Sequence, residues 1–378
     1  MRIASLILLP LAAAACRAVG ADFERDTGDG ADGDADTDTD TDGDADTDTE
    51  TGTGYEDPAI PETCEQAAVA TTTVGCLFYA IDLDSHDSVE IQQYAVAISN
   101  VNQTDAAHVV VYKGNASTSG WDIHFEADVA PMSLHTFNLP DYHMDGSGLM
   151  PKGSYKVVSD VPIVAYQFNP VDGANSYLSD ASMLIPASSL SSDHDVVGWK
   201  QNEGDGDMRA YFTVVATVDG SQVTVEPSVV PLAGGVVPGT GQPFSVTMDE
   251  GDVLEVETDG LGQSLTGSRV TSDESHPIAV FSGQECAFIP ETTYSCDHLE
   301  EQLPGLRFWG TEIVAARLPA RSTTTTTENV LWQIYPSEPQ TEVSLTAAAG
   351  VTGLPFETAV LNQGQLVEFY VGGTQAQP

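Results

Sequence analysis

From Pro58 onward, apolar and polar residues alternate in short runs, and Gly or Pro interrupts nearly every longer stretch. Trp121-Asp122-Ile123-His124-Phe125 and Phe244-Ser245-Val246-Thr247-Met248 each place apolar side chains at every second position, the periodicity of a strand with one buried face. Asp219-Gly220, set between Phe212–Val218 and Gln222–Val225, has the residues of a tight type I′ hairpin. No window long enough for an amphipathic helix carries a helical stripe. The expected fold class is all-β.

The strands recur at a period near 117 residues. Gly153-Ser154-Tyr155 through Pro162-Ile163-Val164 returns as Gly267-Ser268-Arg269 through Pro277-Ile278-Ala279, an offset of 115 at the proline that includes two extra residues before it. Pro186 with Val196-Val197 returns as Pro304 with Val314-Ala315, an offset of 118. Ser221–Val225 matches Thr341–Leu345, and Gly251 with Val253–Val256 matches Gly364 with Leu366–Phe369. This period is domain-sized, so tandem β-sandwich-like repeats are expected, with a β-propeller as the alternative. The divisions are 58–200, 201–322 and an incomplete third repeat at 323–378, whose closing strand would fall near position 390 and whose sheet edge is expected to be open. The polar tract Ser322 to Thr327 links the last two repeats.

Residues 1–15 read as an export signal: Arg2 is followed by an apolar run too short to span a bilayer and then by small residues before Cys16. The arrangement resembles a bacterial lipoprotein signal, which implies acylation of Cys16 and anchoring at an outer membrane or cell surface, with ordinary secretion as the alternative. Residues 16–57 form a tether. Between Ala21 and Asp57 lie 16 of the chain's 57 carboxylates with a single Arg, and from Asp26 to Gly54 nothing large and apolar is present to nucleate a core, so this tract is expected to be disordered. Fully extended, the tether would reach at most about 150 Å. Asp38, Asp40, Asp42, Gly43, Asp44 and Asp46 match the start of an EF-hand loop, but Thr49 stands where the closing Glu belongs, so loose cation association is the expectation there. No cofactor is expected to be obligatory, and calcium is the one candidate.

A net charge of −45 with only four Lys excludes phosphate-backbone recognition, so nucleic acid is not an expected partner, and any membrane contact is expected through lipid alone. With Cys16 assigned to lipid, Cys64, Cys76, Cys286 and Cys296 remain, an even number in an exported chain. Three connectivities are possible, and the short spacings favour the local pairs Cys64–Cys76 and Cys286–Cys296. A zinc site is disfavoured, because no C-x-x-C pair or finger-spaced His exists.

Val164-Ala165-Tyr166-Gln167-Phe168-Asn169-Pro170, Pro277-Ile278-Ala279-Val280-Phe281-Ser282-Gly283-Gln284-Glu285-Cys286 and Cys296-Asp297-His298-Leu299-Glu300-Glu301-Gln302-Leu303-Pro304 carry a family resemblance, together with Val214–Gly220 and Trp309-Gly310-Thr311-Glu312. These segments resemble the N-terminal domain family of IgG Fc-binding protein, members of which occur in predicted bacterial surface lipoproteins. The resemblance spans about Cys76 to Pro378 and implies an extracellular binding or adhesion module. It carries no motif for Fc binding itself.

Glu285, Asp297, His298, Glu300 and Glu301, close to the Cys286–Cys296 pair, are the densest set of possible ligand- or cation-binding groups, and Asp193-His194-Asp195 is a second. The competing reading is that these carboxylates bond backbone amides within a loop. G-x-S-x-G, H-E-x-x-H and P-loop signatures are absent, so no catalytic residue is assigned. Trp121, Trp199, Trp309 and Trp332 neighbour apolar strand residues and are expected to be buried rather than to stack on sugars. The function expected is non-enzymatic binding or adhesion toward an extracellular protein or glycan. The alternatives are a glycan hydrolase using carboxylates of the second repeat, and an envelope spacer without a ligand.

Overall fold

A computed structural model describes residues 6–10, 60–88, 90–171, 178–203, 206–316 and 329–373. Cys16, the acidic tract with its EF-hand-like run, and the Ser322–Thr327 linker lie outside the described residues.

The first sheet has seven strands and is organised by Tyr155–Asn169, which is long enough to serve two sets of neighbours. Its first part pairs with Ala107–Asn115 and Gly75–Ala80, and its second part pairs with Tyr94–Asn100 and Asp180–Met183. Gly120–Val129 and Leu134–Leu139 are the two ends of the strand order and approach each other, so the sheet curls into half a barrel. Among the described residues no closed propeller forms.

The second repeat is a sandwich. One sheet runs Cys296–Leu303, Ile278–Phe288, Ala210–Ala216, Val253–Glu257, Gly148–Met150, and the facing sheet runs Asp193–Asp195, Arg269–Thr271, Ser221–Glu226, Phe244–Met248, so each takes one edge strand from within 58–200. Alternation along Ala210–Ala216 explains the packing. Phe212, Val214 and Ala216 join Leu254, Val256, Ile278 and Val280 against Val223, Val225, Val246, Met248 and Val270 of the facing sheet. Tyr211 and Val215, one residue out of phase, join Val253, Ala279 and Phe281 in the core of the first repeat. Every residue of Ala210–Ala216 is therefore buried, as expected for a strand covered on both faces.

The third repeat is smaller. Val330–Pro336 and Val367–Gly373 pair, the hairpin Thr341–Ser344 with Thr358–Leu361 lies over them, and Ile334, Val343 and Leu361 form its core. Leu6–Pro10 pairs antiparallel with the other edge of Val330–Pro336. That is the edge position which Ile278–Phe288 takes beside Ala210–Ala216 in the second repeat, so the edge expected to be open is covered here by residues of the segment read as an export signal. Trp332, Val343, Phe369 and Val371 line a cleft of about 580 Å³ between the two layers.

Three local expectations differ from the structure. Asp219-Gly220 is a turn with Gly220 at φ 76°, but Ala210–Ala216 and Ser221–Glu226 do not pair; the turn carries the chain from one sheet to the other. Both edges of Ala210–Ala216 are already occupied, by Val253–Glu257 and Ile278–Phe288. The two residues inserted before Pro277 fall in a turn, and they divide what is one strand in the first repeat into Arg269–Thr271 and Ile278–Phe288, which lie in different sheets. Finally, Cys64–Val69 is a six-residue helix started by a capping box between Thr63 and Gln66.

Candidate functional site

Both local disulfides form, Cys64–Cys76 and Cys286–Cys296. The second closes the hairpin of Ile278–Phe288 and Cys296–Leu303. The acidic run expected in a stapled loop is therefore a strand, and strand geometry decides where its side chains go. His298, Glu300 and Gln302 share one face and are buried, while on the other face Glu301 is exposed between the buried Leu299 and Leu303. Asp297 and Glu285 are also buried.

The buried face meets the equivalent strand of the first repeat. Glu300 N donates to Asp180 Oδ2 at 2.9 Å, Gln302 N to Ser182 Oγ at 2.7 Å, and Ser179 N to Asp297 Oδ1 at 3.0 Å. These partners are 118 to 120 residues apart, so equivalent strands of successive repeats lie side by side. Gln167 Nε2 donates to Glu300 Oε2 at 3.2 Å, His298 Nε2 lies 3.8 Å from the same oxygen, and Glu300 Oε1 has no hydrogen-bond partner. Burial pushes the Glu300 carboxyl well above the usual carboxylate range, against the bonds from Gln167 and the Ser182 backbone, and burial pushes the His298 imidazole down. Burial thus disfavours the charged form of both groups at the repeat interface. Burial, with the nearby charge of Glu257, pushes Glu285 up to about 9.

Asp193-His194-Asp195 is an anchoring device. Arg269 Nη2 lies 2.6 Å from Asp193 Oδ2 and its Nη1 lies 3.3 Å from Asp195 Oδ1, while Tyr335 of the third repeat donates to Asp195 Oδ2 at 3.3 Å. His194 is buried, and its desolvation, followed by the charge of Arg307, pushes it down to about 3. Trp199, Trp309 and Trp332 are buried. Trp121 is half-buried and donates to Glu250 Oε2 at 3.0 Å.

Two further carboxylate groups come from segments distant in sequence. Asp82, Asp141 and His143 converge at one, and Asp84, Asp145 and Glu257 at the other. Sequence spacing alone hides them, because the loop after Gly75–Ala80, the loop after Leu134–Leu139 and the strand Val253–Glu257 meet only in the fold. The one local sign was acids two apart in otherwise apolar runs, Asp82-Leu83-Asp84 and Glu255-Val256-Glu257. Ile123 (62% exposed), Leu134 (65%) and Met132 (69%) are exposed and Phe125 is partly so (41%), with the Phe125 ring stacked 6.3 Å from Phe137.

Sheets stacked by a repeating rule, braced by local disulfides and burying acids at their junction, define an all-β protein of tandem sheet repeats. The model of the IgGFc binding protein family matches residues 180–376, just over half of the chain, and the chain belongs to that family, a family of binding proteins. Human IgGFc-binding protein is 32% identical over 111 residues, which is 29% of this chain and 2% of that protein. The chain thus aligns with a small part of its human relative. No solved structure matches. Among the described residues, no helix is long and apolar enough to cross a membrane.

Proposed function

We propose that this chain is a non-enzymatic extracellular binding protein, anchored through an acylated Cys16, whose acidic 17–57 segment holds tandem sandwiches out toward a protein or glycan. The observation that carries this reading is the family match over residues 180–376, on a chain with two formed disulfides. Disulfides persist in oxidising compartments, which suits a protein working outside the cell. The carboxylates expected for a hydrolase do not flank a common cleft: Glu300 and Glu301 are adjacent in a strand, one buried and one exposed, so they face opposite sides of the sheet. Ile123 and Phe125 of Gly120–Val129, both exposed, supply apolar contact area of the kind that anchors interfaces.

The test is binding of the full oxidised chain to an array of extracellular proteins, IgG Fc included, and of polysaccharides, with product analysis on every glycan retained. Saturable retention without new reducing ends is expected. Glycan cleavage that disappears in Glu300→Gln would overturn the reading in favour of a hydrolase, and absence of saturable binding to any member would leave only a spacer.

A further inference from the structure

The loops following Gly75–Ala80 and Leu134–Leu139 run together, tied by Tyr142 N donating to Asp82 Oδ2 at 2.8 Å. At one end Asp82 and Asp141 have an imidazole beside them: His143 Nδ1 is 2.6 Å from Asp141 and its Nε2 is 3.5 Å from Glu90. At the other end the nearby cation is Arg209, whose guanidinium is shared among Glu257, Asp207 and the Thr258 carbonyl. Ligand oxygens of Asp84, Asp145 and Glu257 all lie within 4.8 Å of one another. Glu257 Oε1 accepts from Gly146 N at 2.9 Å, and its Oε2 faces Arg209 Nε at 3.5 Å, while the other nitrogens of that guanidinium bond Thr258 O and Asp207.

Glu255 is the independent observation. It lies two residues along the same face of Val253–Glu257 and is 1% exposed. Its Oε2 accepts from Thr213 Oγ1 at 3.0 Å, but its Oε1 has no hydrogen-bond partner, and its carboxylate sits within hydrogen-bonding range of Glu257. Two carboxylates this close are relieved either by a cation or by a proton shared between them. Glu285 adds a further carboxylate within electrostatic reach of Asp84. The donor set is all oxygen, it has no thiolate or imidazole, and Asp145 at the surface leaves a way in.

We propose that Asp84, Asp145 and Glu257, completed by Glu255, hold a calcium ion that ties the loops of the first repeat to the second repeat's strand. The site joins residues 82–84 and 141–145 to 255–257, so its occupancy reads out as stability of the whole folded chain.

The experiment uses the full chain, stripped with EGTA at neutral pH, and follows thermal unfolding as calcium is added to about 5 mM, spanning the range of extracellular calcium modules. A saturable rise in Tm is expected, with apparent affinity lowered on the order of tenfold or more in Asp145→Asn and in Glu257→Gln. Asp145 is exposed, so its variant stays informative even where Glu257→Gln fails to fold. Asp44→Asn with Asp46→Asn, in the acidic tract, should leave the shift unchanged. No shift in the wild type, or the same shift in Asp145→Asn, would overturn the site. A wild type indifferent to calcium but stabilised by acid would assign the facing carboxylates a shared proton instead.

Discussion

Glu300 shows how a residue that reads as reactive in sequence can be structural. It is buried at the repeat interface with one bonded and one unbonded oxygen, and its folded pKa is raised by burial. A carboxyl protonated in the folded state contributes stability that is full below its ordinary pKa of about 4.5 and is lost as pH rises toward the raised value. Its neighbour His298 has the opposite sign: its pKa is lowered by burial, so its contribution is present above about 6.5 and is lost as pH falls. Glu300→Gln, which leaves the His298 contribution in place, should therefore gain stability relative to the wild type as pH rises from about 4.5 toward the raised value, measured by thermal unfolding. A variant that instead loses stability there would show Glu300 to be ionised and paired with His298. Gly283 is a simpler case. A Cβ there would lie 2.3 Å from the Tyr211 ring, whose hydroxyl donates to Asp84 O at 2.5 Å. Gly283→Ala should cost about 1–3 kcal/mol by overpacking, measured by denaturant unfolding.

At the scale of elements, much was legible. Phe244–Met248 is a strand with the bounds its alternation gives, and both cysteine pairs close as their spacing favoured. The Asp219-Gly220 turn was legible as a turn but not as a crossing between sheets, because local residues fix backbone conformation while strand pairing depends on which edges are already taken. The helix Cys64–Val69 was missed for want of length, although Thr63-x-x-Gln66 announced its start. The acidic run after Cys296 shows the limit most plainly. Its composition suggests a solvated loop, yet the neighbouring repeat covers it, and nothing within the run reports that cover. The disulfide at its base closes a loop with sequence separation 10, so Cys286→Ala with Cys296→Ala should cost about 2–3 kcal/mol by chain entropy. The hairpin should then show faster amide exchange than Ala210–Ala216, the strand pinned on both edges.

For the whole molecule, the repeat is also the packing rule. Equivalent strands of the first two repeats meet across bonds about one period apart, and a second junction is made by the turn Asp249–Asp252. There Glu250 accepts from Tyr79 Oη at 2.7 Å, Trp121 Nε1 at 3.0 Å and Lys156 Nζ at 3.1 Å. Burial works against its charge, but these bonds hold the carboxyl below its ordinary range. Glu250→Ala leaves three donors of the first repeat without their acceptor and should cost about 1–3 kcal/mol, measured by thermal unfolding of the full chain. No alternation pattern could announce such a junction, since Tyr79, Trp121 and Lys156 reach Glu250 across 94 to 171 residues of chain.

The most direct test of a surface-displayed, disulfide-braced binding protein is the intact mass of the polypeptide recovered from its native cells. The account predicts a chain that begins at an acylated Cys16, with all four remaining cysteines oxidised as Cys64–Cys76 and Cys286–Cys296. A mass corresponding to the unprocessed chain from Met1, unacylated and with its cysteines reduced, would contradict it.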